Sequence, residues 1–342
     1  MPSAEFHSYK NILVTGAPGW LCDALLPKLP GSANIRCLIQ STYGDEPLKA
    51  WRAKHPEVSE IVRGDLGDAP SLLAACEGLR GGAVIHAAGV IHPRTTSDWY
   101  RINRDGTLAL ARAAKALGVR RFVFISSNAA QGATRTPAEV LTEKMPCKPL
   151  SHYGQSKLDA ERGLVALHDH DVFDVVIARP CMFYGPPVPA RHVDIFKRII
   201  KGRLPLVGDG RYARSLTYID DLVAGTNLCL SHPAAAGETF NLCDERPYTT
   251  LEVCEAMAAA LKVPARFIRV PAISAPIAYA IDRTLAAIGL YSMPFHLLGE
   301  ADWNVGCSSK KAADMLGYRT TVDVMEGYRR AVDWCRAEGQ LP

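Results

Sequence analysis

The sequence predicts an α/β protein built on a doubly wound parallel sheet, with a smaller and mostly helical C-terminal lobe. Two observations carry this prediction. Short apolar runs alternate with helix-patterned segments through the first half of the 342-residue chain, and such alternation implies right-handed crossovers between parallel strands. Glycine, small or polar residues follow the apolar runs, and in such sheets ligands bind at the carboxyl ends of the strands.

Composition excludes several classes of function. The chain is 48% hydrophobic, enough for a large core, and its 342 residues fit two closely packed lobes. A net charge of +4 with scattered Lys and Arg predicts no nucleic-acid partner. The ten cysteines form no C-x-x-C pair and no zinc-like spacing, so we expect reduced core residues, no metal site and a cytoplasmic protein.

No membrane-spanning segment is predicted. Residues Met1 to Lys10 are polar, unlike a signal peptide, and the longest apolar stretch, Ile273 to Leu290, contains Asp282 and Arg283. A bilayer span needs about 20 predominantly apolar residues. We therefore interpret the stretch as an amphipathic helix packed on the protein, in preference to a helix that covers a greasy substrate or rests on a membrane surface.

A strand, a glycine turn and a helix open the fold. The run Asn11 to Thr15 is apolar, Gly16 and Gly19 follow it, and a helical pattern begins after them. This is the context of a dinucleotide fingerprint, in which one glycine permits a tight turn and another lets a pyrophosphate approach the helix N-terminus. Cys22 stands at the third glycine position, where a small residue is needed. The cofactor contacts predicted here are Gly16, Gly19, Trp20 and Leu21.

The next three strands end in residues that fit the same cofactor. The second strand ends at Gln40, which is neither the acid that binds an NAD ribose nor the base that favours NADP. Asp65 follows the third strand and either accepts a hydrogen bond from adenine or caps the next helix. The fourth strand holds His86, interpreted as a packed histidine, and ends in three small residues that leave room for a cofactor. The predicted contacts are Gln40, Asp65, Leu66, Ala87, Ala88 and Gly89.

The fifth strand and the helix before it add polar groups. A helical pattern covers 98–117, contains Asn103 and stops at Gly118. The fifth strand, Arg121 to Ile125, is followed by Ser127. A serine at this edge of the sheet can donate a hydrogen bond to a substrate oxygen.

A tyrosine and a lysine then lie four residues apart at the start of a helical pattern. Tyr153 and Lys157 share a helix face at this spacing. A nearby cation favours the phenolate, so we expect the pKa of Tyr153 to fall from about 10. The pair is therefore a candidate general acid/base for the interconversion of an alcohol and a ketone.

After the sixth strand the chain crosses into a second lobe. The strand ends at Pro180, and proline and glycine are dense from there to Pro189. Further on, Thr249 to Glu252 predicts a capping box at a helix start. The predicted domains are a dinucleotide-binding domain of the Rossmann type over 8–180, with returns to its sheet near 214–245, and a substrate lobe of 181–213 and 246–342.

Taken together, these motifs resemble those of the extended short-chain dehydrogenase/reductases, also called the NAD-dependent epimerase/dehydratase family. The resemblance covers nearly the whole chain. Its motifs are Thr15-Gly16-x-x-Gly19, Gly64-Asp65-Leu66, His86-Ala87-Ala88, Asn103 ahead of Gly106-Thr107, Ser126-Ser127, Tyr153-x-x-x-Lys157, Arg179-Pro180, Tyr184-Gly185-Pro186 and Tyr218-Ile219-Asp220-Asp221.

The resemblance implies NAD or NADP as the cofactor and a role for each matching residue. Tyr153 would donate or accept the proton, and Lys157 would lower its pKa and hold the nicotinamide ribose. Ser127 aligns with the catalytic hydroxyl of the family, and Asn103 would support the site or merely pack between helices. Pro180 would contact the cofactor. A homodimer, paired through the helices that hold Asn103 and Tyr153, is implied by the resemblance alone.

The branch of the family is open at this point. A dehydrogenase or reductase for a small apolar, lipid-like or steroid-like substrate is favoured. Met182 and Phe183 stand where nucleotide-sugar enzymes carry a diphosphate-binding Asn. In addition, 271–298 resembles the substrate-covering region of the 3β-hydroxysteroid dehydrogenase branch. A nucleotide-sugar epimerase is the alternative, and Arg214, at a phosphate-binding position, does not decide between them. A dehydratase is disfavoured, because Asn128 next to Ser127 offers no carboxylate. A non-catalytic cofactor sensor is a minor alternative.

Overall fold

Thirteen strands are found in the computed structural model, which describes residues 6–342; residues 1–5, half of the segment weighed as a signal peptide, lie outside it. The strands are β1 (Asn11–Thr15), β2 (Asn34–Gln40), β3 (Val58–Gly64), β4 (Ala83–His86), β5 (Arg121–Ile125), β6 (Asp174–Pro180), β7 (Met182–Tyr184), β8 (Leu204–Val207), β9 (Ala213–Arg214), β10 (Leu216–Tyr218), β11 (Thr239–Leu242), β12 (Tyr248–Thr249) and β13 (Phe267–Val270).

Seven of these strands form one parallel sheet in the order β11-β6-β5-β4-β1-β2-β3. All of its pairings are parallel, which confirms the predicted doubly wound sheet. The chain runs outward in one direction from β1 to β3 and in the other from β4 to β11. The order therefore reverses between β1 and β4, and ligands of open α/β sheets bind at such a switch point.

Thirteen α-helices lie in the described residues, and several of them cover the two faces of the sheet. They are α1 (Trp20–Leu25), α2 (Asp45–Lys54), α3 (Ala69–Cys76), α4 (Thr96–Asp98), α5 (Thr107–Ala116), α6 (His152–Leu167), α7 (Ala190–Ile200), α8 (Ile219–Ser231), α9 (Thr250–Leu261), α10 (Ser274–Ala287), α11 (Met293–Gly299), α12 (Lys310–Leu316) and α13 (Val324–Ala337). One core joins the sheet to α3, α5 and α6. A larger core joins the other face to α1 and α8 and continues through α9 and α13 into the second lobe.

The second lobe is held by three small strand pairs. β10 lies beside β7, β13 beside β8, and β9 pairs with β12 in antiparallel fashion. The capping box that opens α9 is confirmed, because the Thr249 hydroxyl accepts from the Glu252 amide while the Glu252 carboxylate accepts from the Thr249 amide. All ten cysteines are free, and nine of them are buried, as expected for core residues.

Two helical predictions need correction. The single helix expected over 98–117 is divided, because a π-helical segment, Trp99–Gly106, lies between α4 and α5. A 3.6-residue pattern does not reveal such a widened turn, which is common at functional sites. The apolar stretch around α10 is also less packed than expected: Ala275 and Ala278 are buried, whereas Ile277 and Ile281 are exposed. None of the helices between residues 6 and 342 combines the length and apolar character that a bilayer crossing requires.

Candidate active site

The glycine turn after β1 lies directly against the end of β4. Gly16 has a φ of +95°, and a Cβ there would stand 2.7 Å from the carbonyl carbon of Ala87. A Cβ on Gly19 would stand 2.3 Å from the Gly16 carbonyl oxygen. Both positions therefore require glycine, and together they bring the start of α1 to the switch point. Cys22 fits the third position, buried with its thiol donating to the Thr15 carbonyl at 3.6 Å.

The carboxyl ends of the sheet strands border a groove, which we call the cofactor groove. Its far end, after β2 and β3, is lined by polar side chains. The Gln40 amide donates to the Asp65 carboxylate at 3.5 Å, and the same carboxylate accepts from the Gly67 amide at 2.9 Å. Asp68, not Asp65, caps α3 by accepting from the Ser71 amide at 3.2 Å. The capping alternative for Asp65 is therefore wrong, and its carboxylate stays with Gln40 at the sheet edge. Leu66 packs closely over Gly106 of the π-helical segment.

Tyr153 and Lys157 lie on the first two turns of α6, which packs against the end of β5. Ser151 caps this helix by accepting from the Gly154 amide at 3.3 Å. A Cβ on Gly154 would stand 2.2 Å from the Ala129 carbonyl oxygen, so glycine allows α6 to approach the loop after β5. The Ser127 hydroxyl lies close enough to Tyr153 to lower the pKa of the phenol, and it donates to the Asn128 side-chain oxygen at 3.4 Å. The structure thus brings together the predicted tyrosine and serine.

The Lys157 ammonium points along the sheet rather than at the phenol. It donates to the Ile125 carbonyl at 3.0 Å and lies 4.7 Å from the centre of the Phe124 ring. Burial lowers the pKa of Lys157 to about 8, although the nearby Glu161 carboxylate opposes the shift. An ammonium group at this position can still bind an anionic or hydroxyl-rich ligand in the groove.

The phenol of Tyr153 holds its proton more tightly than expected. Burial raises its pKa above the usual 10, more than the nearby Ser127 hydroxyl lowers it. Among more distant charges, Glu300 raises the pKa and Arg191 lowers it. The expectation that the pKa of Tyr153 falls below 10 is therefore wrong for the protein alone, because desolvation of the phenolate outweighs the effects of Ser127 and Arg191.

Asn103 ties three parts of the site together. It is fully buried, and its side chain pairs with the backbone of Val90, accepting from the amide at 2.8 Å and donating to the carbonyl at 2.9 Å. It also donates to the Ser156 hydroxyl of α6 at 3.3 Å. Asn103 thus fixes the loop after β4 relative to α6, as expected if it supports the candidate site.

His86 belongs to a continuous buried hydrogen-bond chain. The Thr107 hydroxyl donates to the Asn103 carbonyl at 2.8 Å, so it can only accept from His86 Nε2, 2.8 Å away. His86 Nδ1 then accepts from the Thr15 hydroxyl at 2.6 Å, and that hydroxyl oxygen accepts from the Ala88 amide at 3.3 Å. Burial lowers the pKa of His86 to about 3. The histidine is therefore neutral and satisfied, and it positions the loop on which a cofactor would rest.

A buried ion pair below the site was missed as a unit by sequence reasoning. The Glu161 carboxylate accepts from both Nε and Nη2 of Arg179 and from the Ser126 hydroxyl. Glu161 and Arg179 are only 3% and 5% exposed. The available signal was spacing, since Glu161 stands four residues after Lys157 on the same face of α6.

The substrate side of the groove is apolar where the chain leaves β6. The rings of Trp20 and Phe183 lie 4.6 Å apart, and the Arg191 guanidinium lies 5.6 Å from the centre of the Trp20 ring. Met182, which precedes Phe183 in β7, is half-exposed. Arg214 is already engaged, because its guanidinium donates to the carbonyls of Glu300 and Ala301 at 2.8 and 2.9 Å. The apolar wall is thus available to a ligand, whereas Arg214 primarily anchors the end of α11.

The groove fits a nicotinamide dinucleotide. Ala87, Ala88 and Gly89 form a floor without bulky side chains, and a Cβ on Gly89 would stand 3.0 Å from Asn103 Oδ1 and 3.4 Å from Lys157 Nζ. The glycine therefore leaves this space to a ligand that can reach the lysine. Pro180, buried at the end of β6, closes the groove next to the apolar wall.

Comparison with known proteins agrees with this geometry. The profile of the NAD dependent epimerase/dehydratase family matches residues 12–243. An uncharacterised protein of Sinorhizobium fredii is 36% identical over 96% of both chains. UDP-glucose 4-epimerase of Vibrio cholerae is 35% identical over 55% of this chain and 60% of its own. Ceramide reductase of Caulobacter vibrioides is 27% identical over 97% of this chain and 96% of its own.

A solved structure shows the same architecture. The dTDP-glucose 4,6-dehydratase DesIV of Streptomyces venezuelae, crystallised with NAD and TYD, superposes with a TM-score of 0.75. It is 25% identical, and the match covers 97% of this chain and 98% of DesIV. Fold, motifs and family profile thus converge, and the chain is an NAD(P)-dependent enzyme that belongs to the NAD-dependent epimerase/dehydratase family, the extended short-chain dehydrogenase/reductases.

Proposed function

We propose that this enzyme reduces a ketone to a secondary alcohol on a substrate with an apolar, lipid-like tail, and catalyses the reverse oxidation under suitable conditions. The observation that carries the proposal is the packed pair of Trp20 and Phe183, which forms an apolar wall where the chain leaves β6. The Arg191 guanidinium lies 5.6 Å from the centre of the Trp20 ring, so the edge of this wall also offers a cation to an anionic ligand. The similarity to a ceramide reductase, which spans nearly the whole chain, supports the same substrate class.

The chain's own residues supply the proton and the orientation of the substrate. Tyr153 and Ser127, which lie close to each other, would bind the substrate oxygen together. Because burial raises the pKa of Tyr153, the phenol is protonated at neutral pH and is suited to donate a proton to a developing alkoxide. When bound, the dinucleotide supplies the hydride. Lys157, Gly16, Gly19 and the small residues after β4 would hold it.

We further propose NAD as the preferred dinucleotide. The ribose end of the groove carries Gln40 hydrogen bonded to the Asp65 carboxylate at 3.5 Å. A 2′-phosphate would meet that carboxylate, and the nearby guanidinium of Arg63 is bound to the Tyr43 carbonyl and to Asp45. An unphosphorylated ribose avoids this repulsion.

The domain limits and the oligomer are also proposals. We assign the dinucleotide-binding domain to 8–180, completed by the return through β11, and the substrate lobe to 181–213 and 246–342. A homodimer would pair the π-helical segment and α5 with α6 of a second copy. Light scattering coupled to size-exclusion chromatography measures that mass directly.

A nucleotide-sugar epimerase is the second candidate. The observation in its favour is the 35% identity to UDP-glucose 4-epimerase over 55% of the chain. Such an enzyme regenerates its cofactor within each cycle and therefore retains it. A dehydratase is less well supported, because the residues after Ser127 are Asn128 and Ala129 and bring no carboxylate to that side.

Cofactor content and ketone reduction separate these functions. The protein is denatured as purified, and its released nucleotides are identified by mass. We expect little bound NAD and a reversible uptake of added NADH, together with NADH oxidation that requires a ketone and increases with the length of its alkyl chain. About one NAD per chain that survives dialysis, with no ketone-dependent turnover, would instead support the epimerase.

A further inference from the structure

We propose that the helical hairpin α10–α11, residues 271–298, docks the enzyme onto an anionic bilayer surface, where it collects its substrate. The reason for docking, which is to collect a lipid-tailed substrate, rests on the proposed function. The evidence for the docking surface itself is independent of that function. Three isoleucines, Ile273, Ile277 and Ile281, recur at four-residue intervals, so they form one stripe along α10. All three are exposed.

The second half of the hairpin extends the same apolar surface. Met293 and Leu297, again four residues apart, are exposed on α11, as is Ile288 in the connection between the helices. Exposed fractions across these residues run from 36% for Ile281 to 69% for Ile288. A surface this rich in large apolar side chains is typical of a site that contacts a membrane or another protein.

The two helices hold this surface together from below. The polar contact between them lies on the inner side, where the buried His296 of α11 pairs with Asp282 of α10 at 3.0 Å. A Cβ on Gly299 would stand 2.9 Å from the Tyr279 Cα, so the helices cross closely there. The apolar residues therefore remain outside in a packed hairpin rather than in a loose segment.

Charge selects an anionic bilayer as the occupant. Asp282 is the only acidic residue between 267 and 299, and it is turned inward to His296. The exposed charged side chains of residues 266–298 are all cationic: Arg266, Arg269 and Arg283. Arg283 also borders the cavity on the inner side of the hairpin, and Arg269 donates to the Gly208 carbonyl at 3.2 Å. An apolar helical face with basic residues and no exposed acid is the pattern of helices that lie in the interface of anionic membranes.

The hairpin is also connected to the active site. The Tyr279 hydroxyl donates to the Leu150 carbonyl at 3.2 Å, just before α6 begins. Tyr291 is hydrogen bonded to His92, in the segment after β4, at 2.6 Å. Arg214 anchors the carbonyls that follow α11. A bilayer in contact with the hairpin would therefore deliver a lipid-tailed ketone close to the start of α6, which carries Tyr153, and to the segment after β4.

Vesicle flotation tests the proposal on the full chain. The probes are vesicles of phosphatidylcholine alone and of phosphatidylcholine and phosphatidylglycerol in equal parts. We expect the enzyme to float with the anionic vesicles, and binding to weaken in about 1 M salt, where the Debye length is about 3 Å. The double substitution Ile277→Glu/Ile281→Glu should reduce binding at least about tenfold, because two side chains lose their apolar contact.

A matched control places two glutamates on other exposed aliphatic positions. Leu73 and Val172 are exposed outside the hairpin, so Leu73→Glu/Val172→Glu should bind vesicles like the wild type. Absence of flotation, or equal loss in both double variants, would overturn the proposal. A third result would also overturn it: the wild type is a dimer that binds no vesicles, and Ile277→Glu/Ile281→Glu is a monomer whereas the control variant is not. The hairpin would then contact a second copy of the chain.

Activity separates this proposal from the proposed function. With a short, water-soluble ketone, Ile277→Glu/Ile281→Glu should retain wild-type turnover, whereas turnover of a long-chain ketone in anionic vesicles should fall with binding. If the wild type floats as expected but reduces no ketone, the proposed function fails and the docking surface stands. If ketones are reduced in solution but the protein does not float, docking fails and the function stands.

Discussion

The ion pair beneath the acid/base helix offers a strong test of how the site is supported. Glu161 accepts from two nitrogens of Arg179 and from Ser126, and the side chains of Arg179 and Glu161 are only 6% and 4% exposed. In Glu161→Gln the guanidinium would stay buried without a counterion, which typically costs about 3–5 kcal/mol. The stability of a domain is about 5–15 kcal/mol in total. The single substitution should therefore remove a large part of it.

The same change should alter the chemistry through Lys157. Glu161 opposes the burial that lowers the pKa of Lys157 to about 8. Without the carboxylate, that pKa should fall further, and a larger share of Lys157 should be neutral at pH 7. Two measurements on Glu161→Gln test this. The urea concentration at the unfolding midpoint should be lower than in the wild type, and in the folded fraction the decline of kcat/KM at alkaline pH should begin at a lower pH.

Two further variants complete the test. Glu161→Leu combined with Arg179→Met removes both charges and should be more stable than Glu161→Gln, because no buried ion is left alone. Glu46→Gln is the surface control, since Glu46 pairs only with the exposed Lys49, and it should change stability by about 0.5 kcal/mol or less. If Glu161→Gln costs less than about 1 kcal/mol, the reasoning on the buried pair is refuted.

The remaining predictions concern the site itself. Tyr153→Phe should lower kcat by about 10²–10⁴-fold, which is the typical contribution of a general acid. NADH binding, measured by fluorescence, should be nearly unchanged. Activity close to that of the wild type would show that another group moves the proton. In ketone reduction, kcat/KM of the wild type should fall as the pH rises through about 8, because Lys157 loses its charge there; a flat profile to pH 9 would show that the ammonium is not needed. His86 is neutral when folded, with a pKa of about 3 against 6.5 when unfolded, so its contribution to stability is complete above about 6.5 and lost as the pH falls towards 3. Urea unfolding between those values should show a slope of up to about 1.4 kcal/mol per pH unit, and His86→Gln should flatten it.

Local patterns predicted the parts of the fold that depend on neighbours in sequence. β1 and β5 begin and end at the predicted residues, and the glycine turn lies where the fingerprint placed it. The predicted acid/base pair also lies on the helix expected from its spacing. These features need only a strand, a turn or one helix face. Each can therefore be deduced from a few adjacent residues.

Contacts across the sheet could not be deduced in that way. Glu161 meets Arg179 only because α6 packs over β6, and the hydrogen-bond chain of His86 joins Thr15 and Thr107 through three separate elements. The desolvation of Tyr153 could not be deduced from the local sequence either. The spacing of Tyr153 and Lys157 indicated attraction between cation and phenolate, but burial dominates the pKa of Tyr153, and it arises from parts of the chain that are distant in sequence.

That burial links the direction of the reaction to the architecture. A phenol whose pKa is raised gives up its proton only when a stronger base forms next to it, and an alkoxide produced by hydride transfer to a ketone is such a base. In the oxidation direction the same phenol must first lose its proton at a cost set by desolvation. The neighbouring side of the groove is the apolar wall of Trp20 and Phe183. A lipid tail lying along that wall would exclude still more water from Tyr153, so a long-chain ketone should be reduced faster than a short one, and its alcohol should be oxidised more slowly.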